Sequence, residues 1–112
     1  MLKTVFIINS QSMGHGDDEL GATIMNAFWK KVWASRKKPE AILFYNSGVK
    51  LLTKDGGQLE ALQALHASGV DLIACGTCVD HFGIRDQVAE GRISGMEEMI
   101  EQMMQATKVV MI

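Results

Sequence analysis

The stretch Val70-Asp71-Leu72-Ile73-Ala74-Cys75-Gly76-Thr77-Cys78 joins an apolar run to both cysteines of the chain. A short, mostly apolar run that follows a glycine is typical of a strand buried on both faces of a parallel sheet. Two thiols in C-x-x-C spacing directly after such a strand can form a disulfide, bind a metal ion or present a reactive thiolate. The rest of the sequence has to distinguish these three uses.

Apolar runs alternate with helical patterns along the whole chain. The sequence predicts strands over 4–8, 41–45, 70–74, 92–94 and 108–111, and helices over 17–35, 57–68, 82–90 and 96–106. Such alternation favours right-handed crossovers and therefore an α/β fold, with a mainly parallel sheet and helices on both faces.

Length and composition limit the classes of function. At 112 residues the chain can bury a core as one domain over 1–112 without a disulfide. A formal charge of −2 and a pI near 5.9 argue against nucleic-acid binding, and the apolar stretch 5–8 is far shorter than a membrane span or a signal-peptide core. From these two features we expect a protein that binds neither nucleic acid nor membrane. Two cysteines this close make a poor structural framework, so we also expect the reducing compartment, the cytoplasm.

Three loops follow predicted strands and should meet at one edge of the sheet. They cover 9–16, 46–50 and 75–80, and the third contains both thiols. Because reacting groups gather outside the carboxyl ends of parallel strands, these loops predict one site. Lys50 would bring a cation that lowers the pKa of a thiol, if the fold places it nearby.

Other uses of these residues fit less well. Cys75, Cys78 and His81 supply three zinc ligands where a structural site needs four, so we expect no metal. A thioredoxin-type centre relies on a proline that faces the disulfide, and Pro39 is the only proline. Three acids in the glycine-rich segment 13–21 would repel a phosphate, so we expect no nucleotide and no other cofactor. Simple packing of a buried Cys75 stays open as an alternative.

The first predicted helix carries two apolar faces where one would cover a sheet. One face holds Leu20, Ile24, Ala27 and Phe28; the other holds Met25, Trp29, Val32 and Trp33. The second face, with its two tryptophans, suggests a subunit interface, because aromatic residues and Met are enriched there. A wide surface that faces the core explains the pattern equally well.

Taken together, the segments 13–21, 44–50, 75–78, 93–96 and 108–110 resemble the DsrE/DsrF-like family. The likeness is greatest to its YedF-type, sulfurtransferase-like branch, which is linked to selenium metabolism. The resemblance implies a three-layer α/β/α sandwich with a five-stranded, mainly parallel sheet, assembled as a homo-oligomer, a trimer or a hexamer. YedF-type proteins commonly join this domain to an N-terminal TusA-like domain, which the 112 residues do not contain. Either a separate TusA-like sulfur-carrier protein is the partner, as we expect, or the function has drifted.

The resemblance also implies a role for the thiols. The cysteine after the third strand, Cys75, would carry a persulfide and exchange it with the carrier, which requires an accessible sulfhydryl at the mouth of a cleft. Cys78 would resolve the persulfide as a disulfide or simply pack. The predicted supporting residues around them are Asn46, Ser47, Lys50, Gly76, Thr77 and His81. A non-catalytic oligomeric binding or assembly module, or a thiol-disulfide switch, are the alternatives.

Overall fold

Five strands form one sheet in the computed structural model, which describes residues 3–112. The strands are β1 (Thr4–Ile8), β2 (Ala41–Phe44), β3 (Asp71–Cys75), β4 (Arg92–Ser94) and β5 (Lys108–Met111). Their order is β4-β3-β2-β1-β5, and all four neighbouring pairs are parallel. The predicted mainly parallel, five-stranded sheet is therefore confirmed.

Four α-helices cover the two faces and one end of this sheet. They are α1 (Asp18–Ala34), α2 (Leu59–Ala67), α3 (Gly76–His81) and α4 (Met96–Gln105). Trp29 of α1 and Leu62 of α2 are buried in one core cluster, and Met99 of α4 is buried in a second one. The side chains of β1, β2 and β3 alternate between these clusters, as a sheet covered on both faces requires. The architecture is the three-layer α/β/α sandwich. Within residues 3–112, no helix has the length and apolarity needed to cross a membrane.

The two apolar faces of α1 have different surroundings. Met25 and Trp29 lie in the core, where the Trp29 ring packs 6.2 Å from the Phe44 ring, centroid to centroid. Leu20 and Ile24, on the other face, are 57% and 39% exposed. The face with the tryptophans therefore faces the core at Met25 and Trp29, whereas Trp33 at its end is exposed, as are Leu20 and Ile24 of the opposite face.

Two segments that follow strands differ from the sequence predictions. The predicted helix over 82–90 is wrong, because α3 starts at Gly76, directly after β3, and ends at His81. Gly83 then adopts a left-handed backbone (φ +64°), and only a 3-10 turn, Arg85–Gln87, follows. Likewise, the predicted turn over 46–50 is part of a longer 3-10 helix, Asn46–Leu52, whose apolar residues enter the core.

The short edge strand β4 is fixed by one arginine. Arg92 donates through Nε and Nη2 to Asp71 of β3 (3.1 and 2.9 Å) and also pairs with Glu98 of α4. The hydroxyl of Ser94 donates to Glu98 as well (2.6 Å). Arg92, followed by Ser94, lowers the pKa of Glu98 from its ordinary value of 4.5 to about 2. These contacts tie β4 to both of its neighbours.

The pairing of Glu98 predicts a pH-dependent contribution to stability. We expect Glu98→Gln to lower the free energy of unfolding by about 0.5–1 kcal/mol near neutral pH, the range for partly exposed ion pairs. A carboxylate whose pKa is lowered by folding stabilises the fold above its unfolded pKa, and loses that effect as the pH falls through the folded one. The difference from wild type should therefore shrink between pH 4.5 and about 2, as measured by urea unfolding.

Glu97→Gln is the matched control for this prediction. Glu97 stands one residue earlier in the first turn of α4 and lies outside the Arg92 contacts. The Glu97→Gln substitution should lower the free energy of unfolding only slightly at any pH. An equal loss in both variants, or a Glu98→Gln difference that persists in acid, would contradict the proposed contribution.

Candidate thiol site

The site forms where β2 and β3 end side by side. Phe44 of β2 pairs with Ala74 of β3, so the residues that follow each strand emerge next to each other. The 3-10 helix Asn46–Leu52 follows β2, and α3 follows β3 with Cys75 as its N-cap. This placement lets the backbone N–H of Asn46 donate to Sγ of Cys78 across a distance of 3.1 Å.

Cys75 is buried, contrary to the sequence expectation of an accessible sulfhydryl. The residue is 3% exposed and lies in the core cluster that contains Ile73, Leu43 and Met99. The cause is strand geometry. Because side chains alternate along a strand, Cys75 points to the same face as Ile73, and α4 covers that face. An external molecule therefore has no direct path to this thiol in the described fold.

Cys78 is the thiol that reaches the surface. It is partly exposed and lines a shallow pocket of about 260 Å³ with Asn46, Thr77, His81 and Phe82. The rings of His81 and Phe82 meet edge to face, 5.2 Å apart. Most of the pocket wall is thus carbon, with an amide and an imidazole at its rim.

Burial and two neighbouring groups act on the pKa of Cys78, and the net effect raises it from the ordinary thiol value. Burial is the main cause and disfavours the thiolate. The N–H of Asn46 acts in the opposite direction, while the hydrogen bond with the Cys75 thiol adds to the increase. Cys78 is therefore mainly a thiol at neutral pH. When the thiolate forms, it is a stronger nucleophile than one with a low pKa, because nucleophilicity falls as the pKa falls.

Asn46 is held in a conformation that few residues adopt. Its φ is +50°, in the left-handed region where Asn is enriched, and its Oδ1 accepts the N–H of Ser47 (2.8 Å). The same segment is attached to β1, since the N–H of Tyr45 donates to the Ile8 carbonyl (3.1 Å). A Cβ at Gly48 would lie 2.4 Å from that carbonyl oxygen. The close approach of Gly48 to β1 thereby fixes where the Asn46 N–H points.

The structure brings together only part of the predicted set. Asn46, Thr77 and His81 share the pocket with Cys78. Ser47 instead accepts the N–H of Gln11 (3.1 Å) and lines a separate, polar pocket next to β1.

Lys50 and Gly76 also lie apart from the exposed thiol. The ammonium of Lys50 stands 4.3 Å from the centre of the Phe82 ring, in a cation–π contact. Gly76 is tucked against β4, where an added Cβ would lie 3.4 Å from Ile93 Cγ2. Neither residue lines the pocket around Cys78.

Phe82 is the pocket residue that the sequence analysis missed. It follows Cys78 by four residues, so the two share one helix face if the helix starts at Gly76. The prediction started that helix at residue 82 and so lost this relation. Among residues 3–112, no group of three or more His, Cys, Asp and Glu side chains is arranged to hold a metal ion.

The close approach at Gly48 gives a test of how the site is positioned. We expect Gly48→Ala to destabilise the fold by about 2 kcal/mol, because the methyl group meets backbone that cannot move freely. The shift should also draw the Asn46 N–H away from Cys78 and raise the pKa of that thiol further. Urea unfolding and the pH midpoint of Cys78 alkylation would measure the two effects.

Gly95→Ala is the control, since no atom lies within 4 Å of a Cβ added there. It should leave the alkylation midpoint unchanged. A Gly48→Ala protein with wild-type stability and midpoint would show that this contact does not position Asn46.

Comparison with known proteins agrees with this architecture. Residues 3–112 match the model of the DsrE/DsrF-like family. No curated protein matches the chain by sequence.

Three solved structures resemble the fold. The ychN protein from E. coli is 20% identical, with a TM-score of 0.68 and full coverage of both chains. The protein of unknown function MTH1491 from Methanobacterium thermoautotrophicum is 19% identical, with a TM-score of 0.73 and full coverage of both chains. The conserved protein of unknown function BT1422 from Bacteroides thetaiotaomicron is 18% identical, with a TM-score of 0.69, covering 98% of this chain and 95% of its own. At these identities the likeness concerns the fold alone.

The family match covers both cysteines, the Asn46 segment and all five strands, and the chain belongs to the DsrE/DsrF-like family.

Proposed function

We propose that this protein is a sulfur-relay protein that carries a persulfide on Cys78 and exchanges it with a TusA-like carrier. Membership of the DsrE/DsrF-like family, which is associated with sulfur relay, supports the general function. The observation that carries the assignment to Cys78 is its partial exposure beside the Asn46 N–H, whereas Cys75 is buried.

The proposed chemistry is thiol exchange in two steps. The Cys78 thiolate attacks the outer sulfur of a donor persulfide, the donor S–S bond breaks, and the donor departs as a thiolate. Cys78 then holds the outer sulfur as a persulfide. In the second step a carrier thiolate attacks that outer sulfur, and the Cys78 thiolate leaves. The Asn46 N–H points at Sγ, so it stabilises the negative charge on Cys78 both before the first step and after the second.

The shape of the pocket favours a protein-borne thiol as the reacting group. Its volume of about 260 Å³ and its open, mostly apolar wall suit the side chain of one cysteine with its neighbours on a flexible segment. The Phe82 ring, which also contacts the Lys50 ammonium, would pack against that segment. A deep, polar cavity of the kind that encloses a small metabolite is not found around Cys78.

We extend the proposal to the branch and the compartment. The segments 44–50 and 75–78 support a place in the YedF-type branch, which is linked to selenium metabolism, and a selenium atom could be passed by the same exchange. Both cysteines are unpaired in the structure, which suits the reducing cytoplasm.

We also propose that the protein is a homo-oligomer, and a specific surface supports this. The surface, called the apolar face here, combines one side of α4 with the outer part of β5. Val109 and Met111 of β5 align with Val5 and Ile7 of β1, so they lie on the sheet face that carries α4. The members of the apolar face are 44–81% exposed: Met96, Ile100, Met104, Val109 and Met111.

The free edge of β5 makes a second copy of this chain the occupant we propose. Lys108 and Ile112 donate their N–H groups to the carbonyls of Lys3 and Ile7, so the alternate residues Val109 and Met111 turn their backbone groups outward. An exposed apolar edge strand invites pairing with another chain. Self-association through this edge also fits the alternative function, a non-catalytic assembly module.

The persulfide proposal predicts that sulfur uptake depends on Cys78. After incubation with a cysteine desulfurase and cysteine, we expect Cys75→Ala to gain the mass of one sulfur and Cys78→Ser to gain none, by intact mass spectrometry. Addition of a TusA-like protein should remove the gained sulfur. Uptake by Cys78→Ser but not by Cys75→Ala would return the carrier role to Cys75. No uptake by either would favour the assembly module.

The oligomer proposal predicts that one charge on the apolar face separates the copies. We expect the wild type to have the mass of a trimer or a hexamer by light scattering, and Ile100→Lys to have the mass of a monomer, because an ammonium would be buried unpaired. Leu20→Lys is the control on exposed α1. A monomeric wild type would refute self-association, and dissociation by Leu20→Lys alone would place the interface on α1.

A further inference from the structure

A second thiol lies behind the one that meets the donor. Cys78 packs against the core cluster that contains Cys75, and the Cys75 thiol is one of the groups that act on the Cys78 thiol. Cys75 is 3% exposed, so donors and carriers cannot reach it directly. The only sulfur chemistry open to Cys75 in the folded protein is therefore with Cys78. The relay proposed above makes no use of it.

We infer that Cys75 is a resolving thiol that removes the persulfide from Cys78 when no carrier collects it. This inference rests on the proposed function and adds an outcome to it, the release of sulfide. The thiolate of Cys75 attacks Sγ of Cys78, a bond forms between the two cysteine sulfurs, and the bond from Sγ to the outer sulfur breaks. The outer sulfur leaves as HS⁻ and takes up the proton that Cys75 gave up.

The electrons balance without an external oxidant. The outer sulfur of the persulfide is reduced to sulfide, and the two cysteines are oxidised to one disulfide. A further round of loading then requires reduction of that disulfide, which a cellular dithiol can perform by exchange. The protein therefore acts as a relay when a carrier is present. When no carrier is present, it releases sulfide and its two cysteines form a disulfide.

The backbone supports closure of the pair at small cost. Cys75 is the N-cap of α3, with φ −70° and ψ 120°, and Cys78 stands in its first turn. Cys78 stands at the N3 position, which the side chain of an N-cap residue can reach, as in a capping box. A disulfide needs about 3.5–4.5 Å between Cβ atoms, and the two side chains start as neighbours in the same core cluster.

Access sets the order of events. A persulfide on Cys78 meets an incoming carrier at the pocket, whereas Cys75 lies beneath α4 and must approach Sγ of Cys78 before it can attack. The carrier, which arrives at the open side of Cys78, therefore acts first when it is abundant. Resolution follows only for a persulfide that stays in place, which limits how long reactive sulfur remains on the protein.

The test follows one loaded sulfur over time without a carrier. Wild type, Cys75→Ala and Ile73→Val are loaded with cysteine persulfide, freed of excess reagent, and sampled for intact mass and for released sulfide. We expect the wild type to exchange its gain of one sulfur for the loss of two hydrogens, with equimolar sulfide. Cys75→Ala should keep its sulfur longer by roughly tenfold or more, since the intramolecular attack is lost.

Ile73→Val is the matched control, because it removes a methyl group from the same buried cluster and keeps both thiols; it should behave like the wild type. Cys75→Val serves as a second variant that fills the apolar site if the alanine protein is unstable. A wild type that keeps its sulfur as long as Cys75→Ala would overturn the inference and leave the relay intact. A chain that gains no sulfur in any variant would overturn the relay, and the inference with it.

Discussion

The parallel pairing of β2 with β3 is the constraint on which the site depends. Because Phe44 and Ala74 are register partners, the two strands end within one residue of each other, and the segments after them meet. Side chains alternate along a strand, so a shift of one residue would turn Cys75 to the opposite face. The same shift would separate Asn46 from Cys78. A register set by apolar core residues thus decides which thiol is buried and which one accepts a hydrogen bond from the Asn46 N–H.

The C-x-x-C spacing gives its two cysteines different environments because they obey different local rules. Cys75 is the last residue of a strand and follows the two-residue alternation into the core beneath α4. Cys78 follows the helical period and emerges beside Asn46 and Phe82. Cys78 is accessible to other proteins, whereas Cys75 can react only with Cys78. The relay and the resolving step divide along that difference in access.

The strands could be predicted from the sequence almost to the residue, because apolar, β-branched runs such as Thr4–Ile8 carry a local signal. The carboxyl-end location of the site, with Asn46, Thr77 and His81, followed from the parallel topology. The start of α3 could not be predicted from the sequence, since its N-cap is Cys75, which makes no side-chain cap hydrogen bond. Burial of Cys75 and the turning of Lys50 towards Phe82 depend on neighbouring elements, which leave no trace in local sequence.

The central place of β1 has a consequence for how the chain reaches this state. β1 hydrogen-bonds to β2 on one side and to β5 on the other, and Thr4 pairs with Lys108 across nearly the whole sequence. Contacts of such long range slow folding, because the loop must close before they form. During synthesis on the ribosome, one side of β1 therefore waits unpaired until the β5 segment has emerged. Over that interval, the apolar stretch Thr4–Ile8 presents an open strand edge to other chains.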